Sequence, residues 1–565
     1  MNMPHTDYNA VRSQRAQQPI CKTMMHVPLR VTDIMKRAEQ LFPEQEIISR
    51  LSPNQLVRHT YRQVGTEARQ LAAVLASHGI QPGMRVATLM WNHAIHLAAY
   101  YGVPAIGAVL HPLNPRLSAE ELAYIVADAG DSALLVDDDL LPLWLQVAQL
   151  VHIPLVVVHR MQTDQTPPLA GTHTLDWQRD VCEAIPLPSW PEGSIDETDP
   201  VSICYTSGTT GRPKGVVYSH RSVLLHSLTV ASPDALHISG RDTVLTLTPM
   251  FHVNAWSMPY AAVMFGARQV LAGPRPSATE IVDLMAAQQV TATLGVPTIW
   301  NDVLGVLESP PNRRTFAPGL RVYSGGAAPP AEMFRRFDRL GMHLQTGWGM
   351  TETSPLGSQT WIKSALDHTS ADDVLRTRTS NGIALPLVEM RHVDEHGIAL
   401  PWDGQAAGEL QVRGPWITQA YIGHPTPLSA TTADGWLKTG DLVCFEPNGY
   451  MRLVDRLKDL VKSGGEWISS VDMESALCDH PAVAEAAVIA QADTRWGERP
   501  LAVVVLKAGV ECDATHIRAH MASRYPKWMV PEHIELVNQL PKTSVGKLNK
   551  MALRRQYASQ TPTPT

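Results

Sequence analysis

Between Thr60 and Thr298 the chain repeatedly sets a stretch of helical apolar spacing before a short apolar run, and this alternation constrains the fold more than any other feature. TYRQVGTEARQLAAVLASHGI precedes RVATLMW, AIHLAAYYGVPAIGAVL precedes HPLNPRL, ELAYIVADAG precedes SALLVDDDLL, and EIVDLMAAQQV precedes TATLGVPT. Apolar residues three and four apart mark one face of a helix, whereas short apolar runs mark buried strands. Repeated units of this kind predict an α/β protein with largely parallel sheets. After about Asn381 the rhythm becomes short strands separated by turns, in LVEMRHVDEHGIAL, GELQVRG and GYMRLVDR, which predicts a β-rich unit. The C-terminal part returns to mixed elements (VDMESALCDH, AVAEAAVIA, LAVVVLK, THIRAHMASRY), enough for a small separate α+β domain with a boundary near Asp455–Lys462.

A chain of 565 residues exceeds one ordinary core and calls for several packed units. With 44% hydrophobic and 18% charged residues it has the material for a large interior. The balance of 47 Lys+Arg against 54 Asp+Glu gives −7 with no long run of one sign, so nucleic acid is not expected as the main partner. Cys21, Cys182, Cys204, Cys444, Cys478 and Cys512 form no C-x-x-C pair and read as reduced thiols. No stretch reaches the ~18 uninterrupted apolar residues of a membrane span, and MNMPHTDYNAVRSQRAQQPI has no apolar core for a signal sequence. The expected address is the cytoplasm. Residues 1–25 and 556–565 are patternless and read as flexible tails.

The stretch richest in chemistry runs from Tyr205 to Gly215, YTSGTTGRPKG, after the apolar VSICY and before the helix-like HRSVLLHSLTV. Glycines such as Gly208 let the backbone approach an anion, the hydroxyls of Thr206, Ser207, Thr209 and Thr210 donate to phosphoryl oxygens, and Lys214 supplies charge. The combination predicts a phosphate-binding loop. It is not G-x-x-x-x-G-K-[ST], because Pro213 precedes Lys214 and Gly215 follows it, so the kinase or GTPase reading fails on spacing.

This loop resembles the signature of the adenylate-forming superfamily, which includes acyl-CoA synthetases, firefly-type luciferases and the adenylation domains of peptide synthetases. Further stretches match in the same order: FHVNAW at 251–256, YSGGAAPP at 323–330, TGWGMTET at 346–353, TGDL at 439–442, DRLKDLVKSGGEW at 455–467 and PKTSVGKLNK at 541–550. The wording is nearest to bacterial medium- and long-chain fatty acyl-CoA synthetases. The resemblance implies a fold with a large N-terminal domain (26–457) of two α/β subdomains plus a β-rich subdomain, a hinge at 458–463 and a small mobile α+β C-terminal domain (464–555). It implies a homodimer and a two-step reaction: a medium- or long-chain fatty acid attacks ATP to give acyl-AMP and pyrophosphate, and coenzyme A then displaces AMP.

Residue by residue, the resemblance implies that Glu352 in GMTET holds Mg2+, with Thr206 a candidate hydroxyl ligand, in keeping with a hard cation's choice of oxygen donors. Asp441 faces the ribose hydroxyls and Arg456 supports it. Gly325, Gly326 and Ala327 leave room for a flat adenine, and Trp348 offers an aromatic face where the family commonly has Tyr. Thr346, Gly347 and Thr351 belong to the same nucleotide-binding stretch. His252 lies beside the reacting carboxylate, Asn254 is placed with the acyl group, and Trp256 corresponds to the gate of a fatty-acyl tunnel whose walls include Gly295, Val296 and Pro297. Lys458 matches the hinge, Lys462 and Trp467 match adenylate-contacting positions, and Lys547 matches the lysine that reaches the α-phosphate and carboxylate during adenylation.

Other readings are a ligase for a short or substituted acid (methylthio-propionate-like or aryl) and a luciferase-like adenylating oxygenase, the latter opposed by GGEW at 464–467. A peptide-synthetase module is not expected, since 18 residues follow Lys547 and leave no room for a carrier domain. The presence of both Lys547 and Glu352 argues against a non-catalytic nucleotide sensor.

Overall fold

The computed structural model describes residues 12–13, 15–16, 24–162, 165–190, 195–206, 212–310, 313–423, 430–464, 466–507, 509–543 and 547–557. Helix–strand alternation builds two large sheets. The first has the strand order His173–Asp176, Leu155–His159, Asp131–Asp137, Arg85–Leu89, Val109–Pro112, Pro200–Tyr205, Gly215–Ser219. All its pairs are parallel except the last, a hairpin whose two strands flank the phosphate-loop sequence. The second sheet has nine strands, with a parallel interior that includes Thr243–Thr246, Ala292–Gly295, Arg321–Ser324 and His343–Gly349, and antiparallel pairs at both edges. Helix starts follow local chemistry: Thr60 with Gln63, Ser118 with Glu121 and Ser277 with Glu280 form reciprocal capping boxes.

Two details depart from the sequence reading. AIHLAAYYGVPAIGAVL is α-helical only over Ala94–Gly102; Pro104, lacking an N–H, stops it and opens a single 3-10 turn, Pro104–Ile106, Gly107 turns the chain at φ +71°, and the strand Val109–Pro112 begins inside the text assigned to the helix. The hairpin Glu46–Ser52/Gln55–Thr60 joins the second sheet beside Arg268–Leu271, with Ile47 opposite Gln269. Local periodicity carries no information on so distant a partner.

The β-rich unit is a four-stranded antiparallel sheet, Glu389–Val393, Gly408–Arg413, Leu437–Phe445 and Met451–Arg456. Beyond it a five-stranded sheet, with Val483–Asp493 and Gly497–Leu506 as its long pair, carries the C-terminal part. The two meet at Asp455, fully buried, which accepts from the N–H (2.5 Å) and hydroxyl (3.0 Å) of Ser470, while Ser469 donates to the Val454 carbonyl. The last helix runs Lys550–Tyr557, two residues past the expected end of the domain.

One buried polar cluster in the first sheet invites a metal reading. The ligand atoms of His93, Asp137 and His159 lie within 4.8 Å of one another. The hydrogen bonds decide against it: His93 Nδ1 accepts the His96 N–H, so Nε2 carries the proton and donates to Asp137 at 2.9 Å. His159 Nδ1 and the Trp91 N–H reach the same carboxylate. Burial alone raises the pKa of Asp137, but the electrostatic pull of the His93 ring's N–H side and the bonds from both histidines outweigh it and hold the carboxyl below its ordinary range. The cluster is a satisfied buried carboxylate tying strand ends together.

Candidate active site

After the strand Thr243–Thr246 the chain is pinned by Asn92, whose side-chain amide donates to the carbonyls of Thr246 and Thr248 and accepts the Met250 N–H at 2.8 Å. His252 is extended, and then Val253, Asn254, Ala255, Trp256 and Ser257 all take positive φ, between 47° and 63°. This left-handed turn presents His252 and Trp256 to a cleft enclosing about 620 Å3, its open mouth included. Val230, Leu236, Trp256, Tyr323 and Leu356 give it an apolar side; Ser324, Gln359 and Lys547 supply polar atoms. Burial, then Lys547 and Arg116, push His252 down to about 3, so its imidazole is neutral near pH 7.

Glycines let the walls close. A Cβ on Gly325 would stand 2.7 Å from the Trp256 ring, one on Gly347 2.4 Å from the Ser358 carbonyl, and one on Gly326 3.0 Å from Cε of Lys547. Gly325, Gly326, Gly347, Trp348 and Thr351 all line the cleft. Thr346 is buried beneath it and donates to the Ser324 carbonyl. Trp348 is itself buried, and its indole N–H donates to Asp441 at 2.7 Å. The indole thus makes a polar bond of its own at a position where the resembling family commonly has Tyr. The other oxygen of Asp441 lies 3.2 Å from Arg456 Nε, and the strand pairing sets Asp441 opposite Arg456.

Lys547 comes from the C-terminal part, on a loop closed by the Lys542–Leu548 bridge and by two bonds with Thr543. Its ammonium is pushed down to about 8, first by burial and then by Arg456, against the opposing pull of Asp441 and Glu352. Glu352, 7% exposed, accepts a 2.6 Å bond from the Tyr421 hydroxyl. Tyr421 also lies under Lys214, whose Nζ is 5.1 Å from the ring centre, and its backbone bridges to Val216. The Thr206 N–H donates to the Lys214 carbonyl and its hydroxyl accepts the Lys214 N–H, joining the two ends of the stretch expected to bind phosphate. Ser207, Gly208, Thr209 and Thr210 lie outside the described residues.

The structure separates some residues that the sequence grouped. Asn254, 3% exposed, turns its amide into the core and does not line the cleft. Gly295 is a packing glycine: a Cβ there would stand 2.8 Å from Trp300, so its small size serves the ring behind the strand rather than an alkyl chain. Ala327, Lys458, Lys462 and Trp467 are exposed and outside the cleft lining, and Lys462 sits instead against the Trp467 ring at 5.1 Å. Sequence reasoning missed Tyr421, Arg116 and Gln359, none of which stands in a motif-like run; a lone tyrosine signals nothing until folding brings it to a carboxylate.

The profile of the AMP-binding enzyme family matches residues 35–422, and that of the AMP-binding enzyme C-terminal domain matches residues 472–547. The chain is 43% identical over 546 residues to a long-chain-fatty-acid–CoA ligase of Thermus thermophilus, covering 95% of this chain and 97% of that one. It is 38% identical to a medium-chain-fatty-acid–CoA ligase of Ectopseudomonas oleovorans, covering 94% and 97%. The crystal structure of an anthranilate CoA ligase in complex with anthranoyl-AMP superposes with a TM-score of 0.82 at 25% identity, covering 94% of this chain and 98% of that one. With matches spanning both parts of the molecule and a cleft between them, the chain belongs to the AMP-binding enzyme family.

Proposed function

We propose that this protein joins a medium- or long-chain fatty acid to coenzyme A at the expense of ATP, through an acyl-adenylate. The observation that carries the reading is the meeting of Lys547, from the C-terminal part, with His252, Trp348 and the Gly325–Gly326 backbone around one cleft whose other side is apolar. The identities to fatty-acid–CoA ligases support the chemistry and the substrate class.

In the first step a carboxylate oxygen bonds to the α-phosphorus of ATP, the bond to the β-phosphate oxygen breaks, and pyrophosphate leaves. Lys547 supplies positive charge where negative charge develops on phosphate and carboxylate. His252, neutral, orients the carboxylate by hydrogen bonding without competing for a proton. Asp441, fixed by the Trp348 indole and Arg456, accepts from the ribose hydroxyls. In the second step the thiol sulfur of coenzyme A bonds to the acyl carbon, the acyl C–O bond to the phosphate breaks, AMP leaves and the thiol proton passes to solvent. We assign the hinge to residues 458–463, which follow the strand Met451–Arg456 and take in the short strand Val461–Ser463, and the mobile domain to the residues after them.

Glu352 fits a divalent cation: it is a hard oxygen donor held by Tyr421, with no ion-pair partner among the described residues. With Thr206 it is the set we assign to Mg2+, which when bound neutralises phosphate charge and polarises the phosphoryl oxygens. The homodimer and the cytoplasmic address are likewise proposals; no helix of the described residues is long and apolar enough to cross a membrane. The test is CoA-dependent AMP release across acids of three to eighteen carbons and aryl acids. Release peaking on unbranched acids of eight carbons or more supports the reading, and a peak on propionate-sized or aryl acids replaces it with the short or substituted-acid ligase.

A further inference from the structure

The backbone of Val253–Ser257 cannot be explained by its own sequence. L-residues visit the left-handed region singly, with Gly and Asn the habitual occupants, yet here five successive residues without a glycine adopt it, a β-branched valine and a tryptophan among them. Such a turn persists only where its surroundings over-determine it. Two sets of bonds do so. On one side the Asn254 amide, 3% exposed, donates to Ser202 Oγ at 2.9 Å and its carbonyl oxygen accepts from the Cys204 thiol at 3.6 Å, while the Tyr100 oxygen, whose hydrogen goes to the Met250 carbonyl at 2.5 Å, lies 3.3 Å from it. Those partners stand on the helix Ala94–Gly102 and the strand Pro200–Tyr205 of the first sheet. On the other side His226 Nε2 accepts the Leu356 N–H, so Nδ1 carries the proton and donates to Ser257 Oγ at 2.8 Å, which passes its own hydrogen to the Ser354 carbonyl.

Trp256 stands between these anchors, with its ring against Gly325 and the apolar side of the cleft. Behind it lie Met258, Ala261 and Ala262, a cluster rich in small side chains. An acyl chain longer than the cleft must displace the Trp256 ring, and the turn that carries Trp256 sets the point from which that ring swings. We propose that Asn254 is a positioning residue for chain length: without touching substrate, it holds the strained turn from inside the core and so sets how readily Trp256 yields to a long chain. The inference rests on the reading of the cleft as an acyl site. Backbone strain favours release of the turn and the Asn254 bonds oppose it, so the two influences move substrate preference in opposite directions.

The experiment measures the ratio of kcat/KM on dodecanoate to kcat/KM on butyrate, by CoA-dependent AMP release, together with the thermal midpoint. Asn254→Ala removes the anchor and is expected to raise the ratio at least fivefold. Ser202→Ala removes one bond of the anchor, is gentler on folding, and raises the ratio by a smaller factor. Ala255→Gly relieves strain while keeping every bond, and is expected to lower the ratio at least threefold without lowering the thermal midpoint. The inference is overturned if Asn254→Ala or, should that variant not fold, Ser202→Ala leaves the ratio within twofold of the unmodified protein's while the midpoint falls. It is equally overturned if loss of anchor and loss of strain shift the ratio in the same direction. Unmodified protein that releases no AMP with any acid refutes the ligase reading itself, whereas active protein with an unmoved ratio refutes only the role of Asn254.

Discussion

Raising the pH titrates Lys547, the one cation among the described residues that the C-terminal part contributes to the cleft. Lys547 ordinarily ionises at 10.5, and burial followed by the Arg456 charge brings it to about 8. At pH 7 about nine-tenths of the enzyme therefore carries the ammonium, and at pH 9 about one-tenth does. If that charge serves the adenylation transition state, kcat/KM for acyl-AMP formation is flat below pH 7.5 and falls about tenfold per pH unit above about 8, since this parameter follows the groups of the free enzyme. The assay is pyrophosphate release in the absence of coenzyme A between pH 6.5 and 10, which keeps the thiol's own ionisation out of the measurement. Lys547→Arg replaces the group by one that keeps its proton throughout, and the alkaline limb should vanish even if the plateau is lower. An identical limb in Lys547→Arg, or one centred above 9.5 in the unmodified protein, refutes the reasoning.

Tyr421→Phe removes the hydroxyl that holds Glu352 and should weaken Mg2+ about 10–100-fold, the usual effect of losing a group behind a metal ligand; a Mg2+ titration of ATP binding by calorimetry reads it, and an unchanged titration separates Glu352 from the metal. Gly295→Ala crowds Trp300 and should lower stability by about 1–3 kcal/mol, measured by urea unfolding, with chain-length preference unmoved. Buried neutral histidines predict acid sensitivity. His96 and His226 fall to about 3 and His220 to about 4, so the unfolded chain binds more protons below pH 6.5 and stability drops as pH falls through that value toward about 4. Each contributes about 2 kcal/mol of loss by pH 5, and a urea midpoint that is level from pH 7 to 5 contradicts it.

Alternating helix and strand text made the two α/β sheets legible, because each unit buries its own apolar face and leaves a local period. The hairpin Glu46–Ser52/Gln55–Thr60 was not legible as part of the second sheet, since pairing with Arg268–Leu271 is decided by tertiary packing. The motif residues Lys547 and Trp348, which line the cleft, and Asp441, which the Trp348 indole holds, were legible because they stand in runs of glycines and hydroxyls. Asn254 was misplaced for a physical reason: residues two apart in a strand or loop usually share a face, but the left-handed turn rotates Asn254 into the core while His252 and Trp256 face the cleft. Tyr421 is brought to Glu352 by its bridge to Val216 and by the bonds of Thr418 N–H to the Glu352 carbonyl and of Ile422 N–H to the Gly215 carbonyl, contacts without local signature.

The proposed role of Lys547 in adenylation, and not in thioester formation, is tested by Lys547→Ala with the two half-reactions measured apart. Acyl-AMP formation is followed by pyrophosphate release, and thioester formation by AMP release from synthetic acyl-AMP with coenzyme A. Removing one positioned charge from a transition state typically slows a step ~10²–10³-fold, so pyrophosphate release should fall by that factor while AMP release from supplied acyl-AMP changes by less than about threefold. Equal slowing of both steps, with folding intact, would contradict the account: the lysine would then act through binding or stability, and its place in the cleft would not be a catalytic one.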